Sequence, residues 1–103
     1  ENDMGARRQI TFDKTELVLG FPAGKKYIVL NVSYEDIQRV QFDPITEMKL
    51  FRRTPSEKIT IITSKRAQPI AYTKLKNEKF WDDYRTGFVK FVESNHITFA
   101  DNT

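Results

Sequence analysis

The stretch from Asn77 to Asn95 constrains the fold of this chain more than any other. On a helical wheel of about 100° per residue, Phe80, Phe91, Tyr84, Phe88, Trp81 and Val92 share one side. Asp82, Glu93, Thr86, Lys79, Lys90 and Asp83 take the other. The spacing predicts an amphipathic helix with Asn77 as its N-cap and acidic residues in its first half. A stripe this rich in rings demands an apolar surface of matching size to cover it. Gly87 lies beside the stripe and costs a helix about 1 kcal/mol relative to alanine. Its presence predicts a close approach of the helix backbone to whatever it packs on.

The residues before the helix supply that surface as short alternating segments. Ile10 and Phe12, then Leu17 and Leu19 across an Asp13-Lys14-Thr15 turn, read as a hairpin. A loop is expected at Gly20-Phe21-Pro22-Ala23-Gly24-Lys25-Lys26. Tyr27–Val32 follows as a strand with Ile28, Leu30 and Val32 facing inward. In the next segment Val40 and Phe42 alternate but Ile37 is out of phase, which predicts a bulge or bend between Tyr34 and Ile37. Asp43-Pro44 is expected to end that strand. Met48–Arg53, Lys58–Thr63 and Ile70–Leu75 complete seven strands, with a turn at Arg53-Thr54-Pro55-Ser56-Glu57. The expected class is therefore mostly β with one C-terminal α-helix, and no βαβ alternation points to a parallel sheet. The alternative is a single curved antiparallel sheet with the helix across it. Residues 1–7 read as a flexible leader, 8–99 as one domain and 100–103 as a frayed tail.

At 103 residues the chain has room for one core. It has no cysteine, which excludes disulfides and thiolate chemistry and fits a reducing compartment. Seventeen basic against fourteen acidic residues leave a formal charge of +3, too mild and too dispersed to predict nucleic-acid binding. No apolar run approaches the roughly 18 residues of a bilayer span. The first residues lack the apolar core of a signal peptide. The expectation is a cytoplasmic protein, or a domain at the inner face of a membrane if the chain belongs to a longer one.

Seven strands followed by a helix is the order of the pleckstrin-homology superfold. Val32-Ser33-Tyr34-Glu35-Asp36-Ile37-Gln38-Arg39-Val40 resembles the turn-and-strand of bacterial PH-like and GRAM-like domains, and the likeness extends over about residues 8–96. That resemblance implies a partly open, seven-stranded barrel of two nearly orthogonal sheets, with the helix plugging one open corner. Members that bind phosphoinositides place cations in and beside the loop between the first two strands. Here that loop is Asp13-Lys14-Thr15, too short and too poor in cations to carry the site over.

Catalytic signatures are missing from the sequence. His96 is the only histidine and has no evident partner for metal or acid–base work, so it reads as a cation at the helix C-terminus. Asp82-Asp83 reads as solvated charge. Asp36 of the Glu35-Asp36 pair reads as a cap for the backbone at the bend. No phosphate-cradling glycine loop, nucleophile elbow or zinc motif occurs. An enzyme is not expected, nor any cofactor or metal. The candidate contact residues are cations at turns: Lys25, Lys26, Arg52, Arg53, Lys65 and Arg66. Projected from one rim, they would attract anionic lipid. Phe21 and Phe51 are candidate apolar anchors. Two functions follow as expectations. The first is a non-catalytic module that docks a partner protein or self-associates through its sheet edges; the alternative is a peripheral binder of anionic membrane surfaces.

Overall fold

The computed structural model describes residues 7–103 of the chain. It is mostly β with one C-terminal helix. The strands are β1 (Ile10–Phe12), β2 (Glu16–Ala23), β3 (Lys26–Ser33), β4 (Ile37–Lys49), β5 (Arg52–Thr63), β6 (Ile70–Thr73) and β7 (Phe99–Asp101), and the helix α1 spans Trp81–Asn95. Two sheets form, one ordered β1-β2-β3 and the other β6-β5-β4-β7. Among the described residues no ladder joins them, so the sheets do not close into the barrel that the resemblance implied. Nor is there one curved sheet, the alternative arrangement.

The strand order also differs from expectation. Among the described residues six strands precede α1 and the seventh follows it, pairing parallel to β4 through Val40↔Phe99, Gln41↔Ala100 and Phe42↔Asp101. The tail expected to fray from Ala100 is instead tied down. The Asn102 amide donates to the Phe42 carbonyl at 2.9 Å. Its side chain donates to Asp43 at 2.8 Å. Of the expected leader, only Arg7 lies within the described residues, with its guanidinium 4.0 Å from the Tyr27 ring centroid.

The segment expected to hold a strand end, a separate fifth strand and a turn is one long hairpin. β4 and β5 pair from Ile37↔Thr63 to Lys49↔Arg52. Pro44 and Pro55 both lie inside it. Similarly, β2 runs on through Phe21 and Pro22 to Ala23, leaving Gly24 and Lys25 as a two-residue turn with Gly24 at φ +66°. The bend foreseen before Ile37 is a 3-10 turn over Tyr34–Asp36, followed by a register shift between Ile37 and Arg39. Its cap is Ser33, whose Oγ accepts from the Glu35 amide at 3.3 Å, rather than Asp36.

One core lies between the sheets and the helix. Sheet one contributes Ile10, Leu17, Leu19 and Val32, and sheet two contributes Val40, Phe42, Ile59, Ile61, Ile70 and Tyr72. From α1 come Trp81, Tyr84, Phe88, Phe91 and Val92, all at most 4% exposed. The aromatic stripe therefore forms the helical side of the core. Phe88 meets Phe12 edge-on at 4.9 Å and Phe42 at 6.4 Å, the geometry that ring quadrupoles favour. Gly87 allows this approach, since a Cβ there would overlap the Phe12 ring. Asn77 precedes a 3-10 turn at Glu78–Phe80 and makes no side-chain cap. Its side-chain amide donates instead to the Thr73 carbonyl at 2.9 Å. Among the residues expected to face inward, Ile28 is 38% exposed at the margin of sheet one, and Met48 and Leu50 lie exposed at the far end of the β4–β5 hairpin.

Candidate functional site

The six candidate cations do not share one rim. Arg52 and Arg53 stand at the start of β5, whereas Lys65 and Arg66 follow its end. Ten strand steps run from Arg53 to the end of β5 at Thr63, roughly 33 Å along an extended strand. Lys65 is engaged with Asp36 at 3.8 Å. Arg66 lies over the Phe21 ring at 4.7 Å, which brings the β5–β6 connection to the end of β2 and so toward the Lys25-Lys26 turn. Phe21 is consequently half-buried and packed against the core rather than free to anchor anything.

Arg52 and Arg53 have different company. At the apex of the β4–β5 hairpin, Leu50 and Phe51 form a two-residue turn with φ of 51° and 65°. Two positive φ values are what a type I′ turn requires, and asparagine and glycine normally supply them. Branched or bulky side chains there are strained. Leu50 is 84% exposed, Phe51 97% and Met48 65%. Every residue from Met48 to Arg53 is exposed. An apolar tip thus carries a collar of Lys49, Arg52 and Arg53. Lys49 reaches Glu78 at 3.7 Å, while Arg52 and Arg53 form no ion pair among the described residues.

The tip is held out on a braced ribbon. β6 pairs with β5 only from Lys58 to Ile61, and β7 with β4 only from Val40 to Phe42. Beyond those points β4 and β5 pair with each other alone for six further residue pairs, a length of about 20 Å. At the ribbon's base the buried Ser56 hydroxyl donates to Glu47. Glu47 also accepts from the Leu75 amide at 3.4 Å. The Lys74 amide donates to the Glu57 carbonyl at 2.9 Å. These bonds fix the direction in which the tip projects.

Other polar groups are occupied structurally. Arg85 bonds Glu57 at 2.9 Å and Asp101 at 3.4 Å, linking α1 to β5 and β7. His96 is exposed in the left-handed conformation that ends α1, and its amide donates to the Val92 carbonyl. Among the described residues no group of three or more His, Asp or Glu side chains is placed to hold a metal. Burial pushes the Tyr72 hydroxyl far above its ordinary pKa, so it remains a donor, to the Gly20 carbonyl at 2.9 Å. A surface cleft of about 320 Å³ runs beside β6, lined by Arg66, Thr73 and Lys76 among others. The Thr73 hydroxyl is the single buried side-chain polar atom without a partner among the described residues.

The sequence offered Phe51 as an exposed anchor and Arg52-Arg53 as cations, but separately. Met48 and Leu50 alternate with Lys49 in the sequence, the pattern of one strand face, but both lie exposed at the tip. The signal that would have joined them is a two-residue turn flanked by pairs of strand residues, obscured here because neither turn residue is glycine or asparagine. No helix among the described residues is long and apolar enough to cross a membrane. No family model matches the chain, and neither the curated proteins nor the solved structures contain a significant match.

Proposed function

We propose that the protein is a peripheral binder of anionic membrane surfaces, and that the β4–β5 hairpin tip is the part that enters the lipid. The observation that carries this reading is the exposure of Leu50 and Phe51 at a strained apex, ringed by Lys49, Arg52 and Arg53. Apolar side chains of that size gain by leaving water, each by about 1.5–3 kcal/mol when fully buried. Cations beside them meet the headgroup layer, where each contributes about 1 kcal/mol near an anionic leaflet. A partner protein would equally accept the apolar tip. Arg52 and Arg53, which form no ion pair among the described residues, favour a surface that is both apolar and densely anionic, which a bilayer interface is. Strain at the apex also fits a functional position, because a sequence chosen for stability alone would place asparagine and glycine there.

Val32–Val40 resembles the turn-and-strand of PH-like domains, some of which bind phosphoinositides, but the β1–β2 loop here is too poor in cations for that site. The contact proposed here belongs to a different loop, so it does not borrow that family's site.

Vesicle co-sedimentation tests the proposal. The protein should pellet with vesicles containing phosphatidylserine and remain in the supernatant with vesicles of phosphatidylcholine alone. Binding should weaken as salt rises, since the Debye length contracts from about 10 Å at 0.1 M to about 3 Å at 1 M. Absence of binding to the anionic vesicles at 0.1 M salt would overturn it.

A further inference from the structure

We infer that the free edge of β3 pairs with the same edge of a second copy of this chain, joining two three-stranded sheets into one of six strands. Among the described residues β3 forms a ladder with β2 and with nothing else. Of the other edges, β1, β6 and β7 have three, four and three residues against eight in β3, and the outer sides of the β4–β5 ribbon carry Pro44, Pro55 and several charged residues. Short edges give little to pair with, and a long uncharged edge is an open template. From Tyr27 to Val32 the edge reads Tyr-Ile-Val-Leu-Asn-Val, with neither charge nor proline to discourage pairing.

The backbone bonds show which groups are available. The Gly20 amide donates to Gln9, away from β3, and the Gly20 carbonyl accepts from Tyr72. Gly20 stands opposite Val29, so this is a pair that does not bond across the ladder. Val29 therefore points its own N–H and C=O outward. By the alternation of antiparallel bonding, Tyr27 and Asn31 do the same. Val29 is 59% exposed and Ile28 38%, one on each face of the strand, so both faces carry apolar surface next to the open edge.

Self-complementarity selects a second copy as the occupant. An antiparallel pair centred on Val29 sets Val29 opposite Val29 and Tyr27 opposite Asn31, as a two-fold axis requires. It also sets Lys25 opposite Ser33, so that the cationic Lys25-Lys26 end of one strand meets the Glu35 end of the other. Glu35, Lys25 and Lys26 are exposed and form no ion pair among the described residues. The inference stands apart from the membrane proposal, because it concerns a different sheet and is read without vesicles.

Sedimentation equilibrium over a wide concentration range tests it. The wild-type chain should show a reversible monomer–dimer equilibrium. Val29→Lys places two like charges against each other at the axis and should raise the dissociation constant by at least about tenfold. Asn31→Lys, at an exposed position, serves if the first variant folds poorly. Glu35→Lys should weaken the dimer at low salt, and adding Lys25→Glu and Lys26→Glu to it should restore association. A wild-type chain that stays monomeric at every concentration would overturn the inference. So would a dimer that folded Val29→Lys or Asn31→Lys leaves unchanged.

Discussion

Trp81 donates its indole N–H to Glu57 Oε1 at 2.8 Å, the same oxygen that Arg85 reaches at 2.9 Å. The helix is thereby oriented on β5 by a polar bond at the edge of an apolar contact. Trp81 is 1% exposed, so Trp81→Ala should cost about 3–5 kcal/mol in urea unfolding. Glu57→Ala should cost less, about 1–3 kcal/mol, because it leaves the buried indole N–H without an acceptor while the ring stays packed. Loss of less than 1 kcal/mol in Trp81→Ala would mean that the ring is not part of the core.

Gly87 opposes helix propensity to packing, and the magnitudes predict which prevails. Gly87→Ala gains about 1 kcal/mol as a helix residue. The added methyl collides with the Phe12 ring, and overpacking a core typically costs about 1–3 kcal/mol. The variant should therefore melt lower than wild type despite the better helix former. In a Phe12→Ala background the collision is gone, and the same substitution should become stabilising. A sign that does not reverse in this double-mutant cycle would show that the Phe12 contact is not what the glycine serves.

The helix was legible because its six ring and aliphatic positions obey one period, and tertiary packing then used that face. The long hairpin was not, and the reason lies in the prolines. Each of Pro22, Pro44 and Pro55 suggested an end or a turn, yet all three lie within strands. Val40 donates to Thr98 and Phe42 accepts from Asn102, so the even-numbered residues of β4 turn their backbone groups away from β5. Pro44 falls in that set, and Pro55, opposite Thr46, shares the outward phase. Pro22, opposite Tyr27, is outward on β2 by the same alternation. None of them removes a donor that a ladder uses, which is the condition under which proline is tolerated in a strand. That phase depends on which neighbour lies alongside, information that a single sequence does not hold. That the candidate cations lie on different rims was hidden for a related reason: turns at opposite ends of β5 cannot be placed until the length of β5 is known.

Acid should loosen the C-terminal strand. Bonds from Asn102 and Gln41 hold the Asp43 carboxyl below its ordinary value of 3.8. Those from the Thr103 hydroxyl and amide, helped by Arg85, do so for Asp101. A lowered folded pKa means that folding favours the ionised form. The stability it confers is complete above the ordinary carboxylate range and is lost as pH falls through the lowered folded values. Carboxyl titration by NMR should place both groups below 3.8, and Asn102→Ala should return Asp43 toward it. Urea midpoints measured at pH 6 and pH 3 should fall less with acid in Asp43→Asn than in wild type. An equal fall would remove Asp43 from the acid response.

The apex of the β4–β5 hairpin sets stability against membrane binding in a way that one double variant resolves. Leu50 and Phe51 both hold positive φ, a conformation that costs an ordinary L-residue about 1–2 kcal/mol. Leu50→Asn with Phe51→Gly installs the pair that type I′ turns prefer. The exposed side chains make little folded-state contact to lose, since Phe51 is 97% exposed. The variant should unfold at a higher denaturant concentration than wild type, by about 1 kcal/mol or more in unfolding free energy. If the tip enters lipid, the same variant should lose most of its binding to phosphatidylserine vesicles, because the apolar anchors are gone while Lys49, Arg52 and Arg53 remain. Arg52→Gln with Arg53→Gln should instead leave stability nearly unchanged and reduce binding chiefly at low salt. A stabilised Leu50→Asn, Phe51→Gly protein that still pellets with anionic vesicles as wild type does would show that the tip is not the anchor.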